Sequence, residues 1–420
     1  MGGSCTRRDV DLTTILMRIL ILSPALPYPP TWGFVTRVYH FLRLLAHRHS
    51  VTLLTYADAD DGQHVAALRA IGTDVHTIPP VITKGTKRLR QLSSLFSPVS
   101  YQWRSHHSAQ MQQKLTALTH QQHFDIIQIE SSQLGCFEFD RGAALVLDEH
   151  NIEHELLYRT FRTERSPLRR AYNWIEFKKF KREEIGTWHR AAGTVTTSAR
   201  EAEIIRGIAP GKPVKSVPNA VDVQYFSPSN EPTDPDAIVL TGLMKYRPNV
   251  DAAVYFVRDV LPQILSVRPN LVFYIVGGEP PDEVRQLAGS NVVVTGTVAD
   301  VRPYVHKAAV FVVPLRMGGG TRLKVLEGLS MQKAMVSTSL GCEGIDVEDN
   351  RHLLIADTPA SFAGAVLRLL EDPTLADTLA KTGRDLVDRH YRWERVVGDL
   401  EGFYDELLGR SGEEPVATQR

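Results

Sequence analysis

The stretch from Phe311 to Ile345, FVVPLRMGGGTRLKVLEGLSMQKAMVSTSLGCEGI, constrains this chain more than any other. An apolar strand runs into a glycine loop, a helix follows that opens with Arg322 and Lys324, and a second apolar strand, Ala334 to Thr338, closes the unit. Gly318, Gly319 and Gly320 lack Cβ atoms, so their amides can approach a ligand through turns that other residues resist. The helix behind them points unpaired N–H groups and its positive dipole end at the same spot. With two cations added, this is the order of parts of a phosphate site. Within the helix, Val325, Leu326 and Leu329 form a stripe that must face a core, and Glu327 stands at its edge. Glu327 has two readings: an i,i+3 pair with Lys324 on a solvated face, or an acceptor for the sugar hydroxyls of a nucleotide whose phosphates sit at the helix start.

This unit resembles the donor-binding signature of the family 4 retaining glycosyltransferases, the group 1 enzymes of bacterial polysaccharide synthesis. Their pattern is two glutamates separated by seven residues, in a glycine-rich loop and helix, followed by a PVVST-type strand. Glu327 falls on the second glutamate, which in the family binds the nucleotide ribose; the first falls on Gly319. The GGGTRLKVLE string resembles a subset of the family and leaves open how the donor sugar's hydroxyls are read, the backbone N–H groups of the loop from Gly318 through Gly319 and Gly320 to Thr321 being candidates to replace the absent carboxylate.

The totals bound the class. With 420 residues, 43% hydrophobic and 23% charged, the chain is an ordinary globular protein long enough for two domains. Its 48 basic and 48 acidic residues cancel, so no global field recruits nucleic acid. Cys5, Cys136 and Cys342 are too scattered for a metal pattern or a disulfide framework, and a reducing cytoplasm is expected. No apolar run approaches the ~18 residues of a membrane span. The opening MGGSCT matches a myristoylation pattern, but the plainer account is a folded chain that begins near Met17.

The first half reads as βαβ: a strand at Arg18 to Leu22, the loop SPALPYPPTWG, a helix from about Phe34 to His47 and a strand from Val51 to Tyr56. It has no GxGxxG, which disfavours a dehydrogenase. The LPYPPxxG loop resembles the family's first loop, where glycine amides approach the donor phosphate; Gly33 is the position carried over, with Phe34 where many relatives have a second glycine. Two more central strands, DIIQIE and Ala144 to Leu147, follow, the second running into LDEHNIEH. On its own His150 reads as a structural histidine; the resemblance places this HN pair beside the donor sugar. His154, one turn on, suggests no metal. From Arg159 to Arg190 cations interleave with aromatics, and Ala171, Trp174, Ile175, Ile185 and Trp188 are expected to share one face. This is a core helix with a basic side, or a peripheral anchor on anionic lipid suited to a lipid-linked acceptor. A second basic and aromatic patch runs from Lys84 to Arg104.

VPNAVDVQYFSP matches the family's PNGVD and F-x-P segment, and SPSNEPTDPDA reads as the exposed linker. The second half opens with IVLTGLMKYRPNVDA, in which Lys245 and Arg247 follow a strand end where they could contact a diphosphate. In VVVTGTVADVRPYV the family's loop covers the base, which implicates Thr297 and Val298. Asp-x-Asp occurs at Asp9, Asp58 and Asp234, in tail, loop and linker, and no metal is read from it.

The resemblance implies an α/β chain of GT-B architecture: Rossmann-like domains at 17–232 and 233–392 facing across a cleft, with a helix at 393–409 crossing back, and a polar tail. It further implies a retaining, metal-independent transferase without a cofactor, taking a nucleotide-sugar donor and a glycan or lipid-linked acceptor, with Arg322, Lys324 and His150 at the reacting centre. A nucleotide-sugar epimerase and a silent nucleotide-binding protein of the same fold are the alternatives.

Overall fold

The structure, a computed structural model, describes residues 17–81, 91, 93–318 and 322–410. The chain builds two parallel sheets. The first holds β1 (Arg18–Ser23), β2 (Ser50–Tyr56), β3 (Asp74–Ile78), β4 (Ile126–Ile129), β5 (Ala144–Glu149), β6 (Gly193–Thr196) and β7 (Val214–Ser216), in the order β3-β2-β1-β4-β5-β6-β7. The second holds β8 (Asp234–Thr241), β9 (Val272–Val276), β10 (Val292–Gly296), β11 (Ala308–Val313), β12 (Ala334–Ser337) and β13 (Leu354–Ile355), in the order β10-β9-β8-β11-β12-β13. Helices cover both faces of such sheets, so their strands are apolar throughout rather than alternating: RILILS in β1 is buried at every position but the first. The fold class expected from the sequence is the one observed.

Each sheet has one point where strand order reverses, β1 beside β4 and β8 beside β11. Loops diverge there and leave a crevice at the carboxyl ends, where open α/β sheets bind ligands. The glycine loop follows β11, and the loop carrying Lys245 and Arg247 follows β8, so both flank one reversal point. Glu130, just past β4, and the loop leading to Gly33, after β1, flank the other.

The helix Trp393–Leu407 packs into the first sheet's core, where Trp393, Val396, Val397, Leu400, Phe403 and Tyr404 join Ile19, Phe41 and Val195. Gly193 permits this approach, because a Cβ there would lie 2.7 Å from the Phe403 ring. Burial of large side chains such as Trp393 and Phe403 is worth about 1.5–3 kcal/mol each, enough to hold the C-terminal helix on the opposite end of the chain.

Two expectations are corrected. The helix Pro167–Arg190 does not bury Ala171, Trp174 and Ile175; its buried face is Glu176, Phe177, Phe180, Glu183, Glu184, Thr187 and Trp188. The acids are tolerated there because donors meet them: Glu176 accepts from Ser94 Oγ and Tyr101 N, Glu183 from Ser100 N, and Glu184 from Glu153 N and His154 N. Asp234 to Asp236, read as linker, opens β8, and Asp236 takes a hydrogen bond of 2.6 Å from Arg268. Asp9 and Cys5, with part of the Lys84 to Arg104 patch, lie outside the described residues.

Candidate functional site

On the second sheet the site is built around the helix Leu323–Ser330. Val325, Leu326 and Leu329 are fully buried, as their spacing requires, and this fixes which side of the helix meets the cleft. Lys324, in its first turn, reaches back across the reversal point: Nζ donates to Thr241 O at 2.8 Å, the last residue of β8, and to Asn249 Oδ1 at 2.7 Å. Gly242 makes the approach feasible, since a Cβ there would stand 2.8 Å from Lys324 Nζ and 2.7 Å from Asn249 Nδ2. Its φ of +148° is also one that side chains resist. Gly277 packs still closer, with room for no Cβ against Gly242 O. Burial pushes the Lys324 ammonium down to about 8, partly offset by the charge of Glu327.

Glu327 does not form the surface pair with Lys324 that i,i+3 spacing suggests, because Thr241 and Asn249 have taken the ammonium. Its carboxylate has no hydrogen-bond partner among the described residues. Burial pushes it up to about 7, with Lys324 opposing. Arg322, the residue capping the helix start, is buried; its Nε donates to Leu340 O at 3.4 Å, and burial holds the guanidinium below its usual range. Gly318 has φ +118° and lies against Pro248, at the start of the helix Arg247–Tyr255. Gly319, Gly320 and Thr321 lie outside the described residues.

The remaining candidates on this sheet sit further out. Lys245 is exposed and pairs with Glu279 at 2.7 Å, and Arg247 is exposed at the start of its helix. Thr297 lines an open groove of about 440 Å³ with Glu279, Pro280, Arg285 and Gly296, and Val298, next in the chain, packs on the core.

On the first sheet His150 follows β5, with Nε2 2.9 Å from Glu130 Oε2 and 3.7 Å from Asp148 Oδ2. Its ring lies 4.7 Å from that of Phe34. Asp148 is held by Arg37 through two bonds, 2.7 and 3.0 Å, and both residues are completely buried. Arg37 also donates to Pro218 O and Asn219 Oδ1, which ties the VPNAVD segment beneath β5. One ligand atom each from Glu130, Asp148 and His150 lie within 4.8 Å of one another, a spacing that suits a metal ion. Arg37 already engages both oxygens of Asp148, however, and a second cation there would meet that guanidinium at close range. His154 is buried against Glu184 and takes no part.

The two halves meet at the cleft. A Cβ on Gly33 would lie 3.8 Å from Leu323, the first residue of the helix Leu323–Ser330, so the glycine carried over by resemblance does face that helix start. A cavity of about 240 Å³ lies between Asn151, Glu155, Arg159 and Arg200 on one side and Glu343, Gly344, Ile345 and Asp346 on the other. The structure thus brings Gly33, Gly318, Arg322, Lys324 and Glu327 together, with His150 against Phe34 on the same side as Gly33. It leaves Lys245 and Arg247 at the rim. Sequence reasoning missed Gly242, Asn249, Glu130, Asp148 and Arg37; for Glu130 a signal existed, an acid closing an apolar run.

Residues 235–372 match the family described as glycosyl transferases group 1. A protein in the cps region of Klebsiella pneumoniae, described only by its 44.6 kDa mass, is 19% identical over 410 residues, 92% of this chain and 99% of its own length. The fold is similar to that of sucrose-phosphate synthase from Thermosynechococcus elongatus, with TM-score 0.66, 17% identity and coverage of 94% of this chain and all of that one. It is also similar to Anabaena HepE solved with UDP-glucose, with TM-score 0.64, 14% identity and coverage of 94% and 100%. The chain therefore has the GT-B fold, and its residues 235–372 are similar to the group 1 glycosyl transferases.

Proposed function

We propose that the protein is a retaining glycosyltransferase that moves a sugar from a nucleotide-sugar donor to a glycan or lipid-linked acceptor in cell-surface polysaccharide synthesis. The observation that carries this is Lys324, held across the β8/β11 reversal point over Gly242, with Arg322 before it and the unpartnered carboxylate of Glu327 one turn on. Two cations and a helix start suit a diphosphate, and a carboxylate beside them suits ribose hydroxyls. The likeness to HepE, solved with UDP-glucose, supports a nucleotide-sugar donor.

Departure of the nucleoside diphosphate leaves an oxocarbenium-like sugar. Arg322 and Lys324 offset the charge growing on the leaving phosphate, work that a metal ion does in other transferases. Gly33, Gly318, Gly319, Gly320 and Thr321 supply amides around the phosphates, Lys245 and Arg247 a basic rim, and Thr297 and Val298 the wall of the base site. His150 stands on the acceptor side, beside the sugar. The acceptor hydroxyl attacks from the face the diphosphate leaves and passes its proton to that phosphate, so no protein base is assigned.

Among the described residues no helix is long and apolar enough to cross a membrane. We place the protein at the cytoplasmic face of an anionic membrane, in peripheral contact through the tip of the helices Glu153–Thr163 and Pro167–Arg190. There Leu168 (86% exposed), Trp174 and Ile175 lie among Arg162, Arg165, Arg169, Arg170 and Lys178.

The test is nucleoside diphosphate release from a panel of UDP-, GDP- and ADP-sugars by the wild type and Glu327→Ala. Release from one donor, reduced roughly 10- to 100-fold in the variant, is expected from loss of a charge-assisted hydrogen bond of ~1.5–3 kcal/mol. Undiminished donor use by the variant would remove Glu327 from the site. An isomerised sugar nucleotide formed without acceptor would instead indicate an epimerase, and binding without turnover a silent protein.

A further inference from the structure

We propose that Glu130 is a positioning residue for His150: its carboxylate takes the imidazole Nε2–H, fixes the ring and leaves Nδ1 to engage a hydroxyl of the sugar in the cleft. This rests on the transferase reading above.

Glu130 follows β4 at the reversal point, its N–H bonded to Leu22 O at 2.9 Å, and it is completely buried. Oε2 lies 2.9 Å from His150 Nε2, and Oε1 accepts from Gln128 Nε2 at 2.7 Å. Gln128 is oriented in turn by Tyr404 OH, which donates to its Oε1 at 2.5 Å. That fixes the Gln128 amide with its NH₂ toward Glu130. Asp148, the other carboxylate near the ring, is already matched by Arg37, so His150 is the group left to match Glu130. Glu153 faces His150 from the following helix and is itself pushed up to about 7, by burial first and by Glu184 second.

The ring is constrained from further directions. Phe34 packs on it, and Thr197 Oγ1 donates to His150 O at 3.2 Å. Nδ1 has no partner among the described residues. Directly after Glu130, Ser131 has φ 127° and ψ 144°, a region that non-glycine residues avoid. Such strain persists only where the surroundings over-determine it. Here it lies in the residue next to the carboxylate that fixes His150.

Glu130→Gln keeps the shape and reverses the logic. Gln128 claims the new amide's oxygen, so an NH₂ faces the ring, and His150 must accept at Nε2 and carry its proton on Nδ1. The experiment is two-bond ¹⁵N–¹H correlation on histidine-labelled protein, with His150→Gln to assign the signal, together with donor kinetics. In the wild type Nε2 is expected to carry a proton; in Glu130→Gln the proton moves to Nδ1. Turnover is expected to fall on the order of 100-fold, the scale of a misplaced proton-bearing group, with donor KM little changed. A wild-type His150 protonated on Nδ1 alone, or turnover unaltered in Glu130→Gln, would overturn the proposal. If the variant does not fold, the wild-type spectrum decides. If the wild type turns over no donor, the transferase reading fails while the spectrum still tests the Glu130 to His150 arrangement.

Discussion

Donor use should be confined to a narrow pH window set by Lys324 and Glu327. In the free protein the ammonium is pushed down to about 8 and the carboxylate up to about 7, each chiefly by burial and each partly restored by the other's charge. Ribose hydroxyls need the ionised carboxylate, so activity is lost as pH falls through about 7. The diphosphate needs the ammonium, so activity is lost as pH rises through about 8. The profile of kcat/KM for the donor reports ionisations of the free enzyme, so it should be bell-shaped, falling about tenfold per unit beyond each limb. Because the groups interact, the limbs belong to the pair rather than to either residue alone. Two variants separate them: Glu327→Gln should remove the acid limb, and Lys324→Arg the alkaline limb, since a guanidinium stays charged throughout. The assay is initial-rate release of nucleoside diphosphate from pH 5.5 to 10 at constant ionic strength. A flat profile across that range, or limbs unmoved in both variants, would refute the assignment of these groups to the donor.

Three further outcomes follow from the same geometry. Gly242→Ala puts a Cβ 2.8 Å from Lys324 Nζ at a φ of +148°, so calorimetric affinity for the nucleoside diphosphate should fall on the order of tenfold, near 1.4 kcal/mol, with the fold intact by circular dichroism. Asp148→Ala leaves the Arg37 guanidinium buried without its partner and should lower the urea unfolding free energy by about 3–5 kcal/mol; a loss under 1 kcal/mol would mean that the pair is dispensable. Leu168→Asp combined with Arg169→Glu and Arg170→Glu should abolish cosedimentation with anionic vesicles, and wild-type binding should weaken as salt rises; equal binding to neutral vesicles would contradict the electrostatic reading.

What was legible in the sequence was what is local. The unit from Phe311 to Ile345 announces itself because strand, glycine loop, helix and strand follow one another, and the burial of Val325, Leu326 and Leu329 follows from helical spacing. The partners of Lys324 were not legible: Thr241 and Asn249 stand 83 and 75 residues away, and only the folded sheet puts the end of β8 beside the end of β11. The i,i+3 reading of Glu327 failed for the same reason, since a tertiary partner outcompeted the local one. Arg37 and Asp148, 111 residues apart, carry no local sign that they pair. In the helix Pro167–Arg190 the periodicity argument picked the wrong face because it counted acids as solvated. The donors that let Glu176, Glu183 and Glu184 be buried come from residues 94–101 and 153–154, invisible to a window along one helix. Asp234 to Asp236 was misplaced because its composition is that of a loop, while its position beside Ala308 extends β8.

The most direct measurement of the central claim is the anomeric configuration of the first sugar product, read by proton NMR before mutarotation, from the donor that the panel identifies, with water or a simple alcohol as acceptor. Retaining transfer predicts that an α-linked donor gives an α product together with one equivalent of nucleoside diphosphate. A β product would contradict the retaining mechanism, and absence of any product from a donor that binds would contradict the assignment as a transferase.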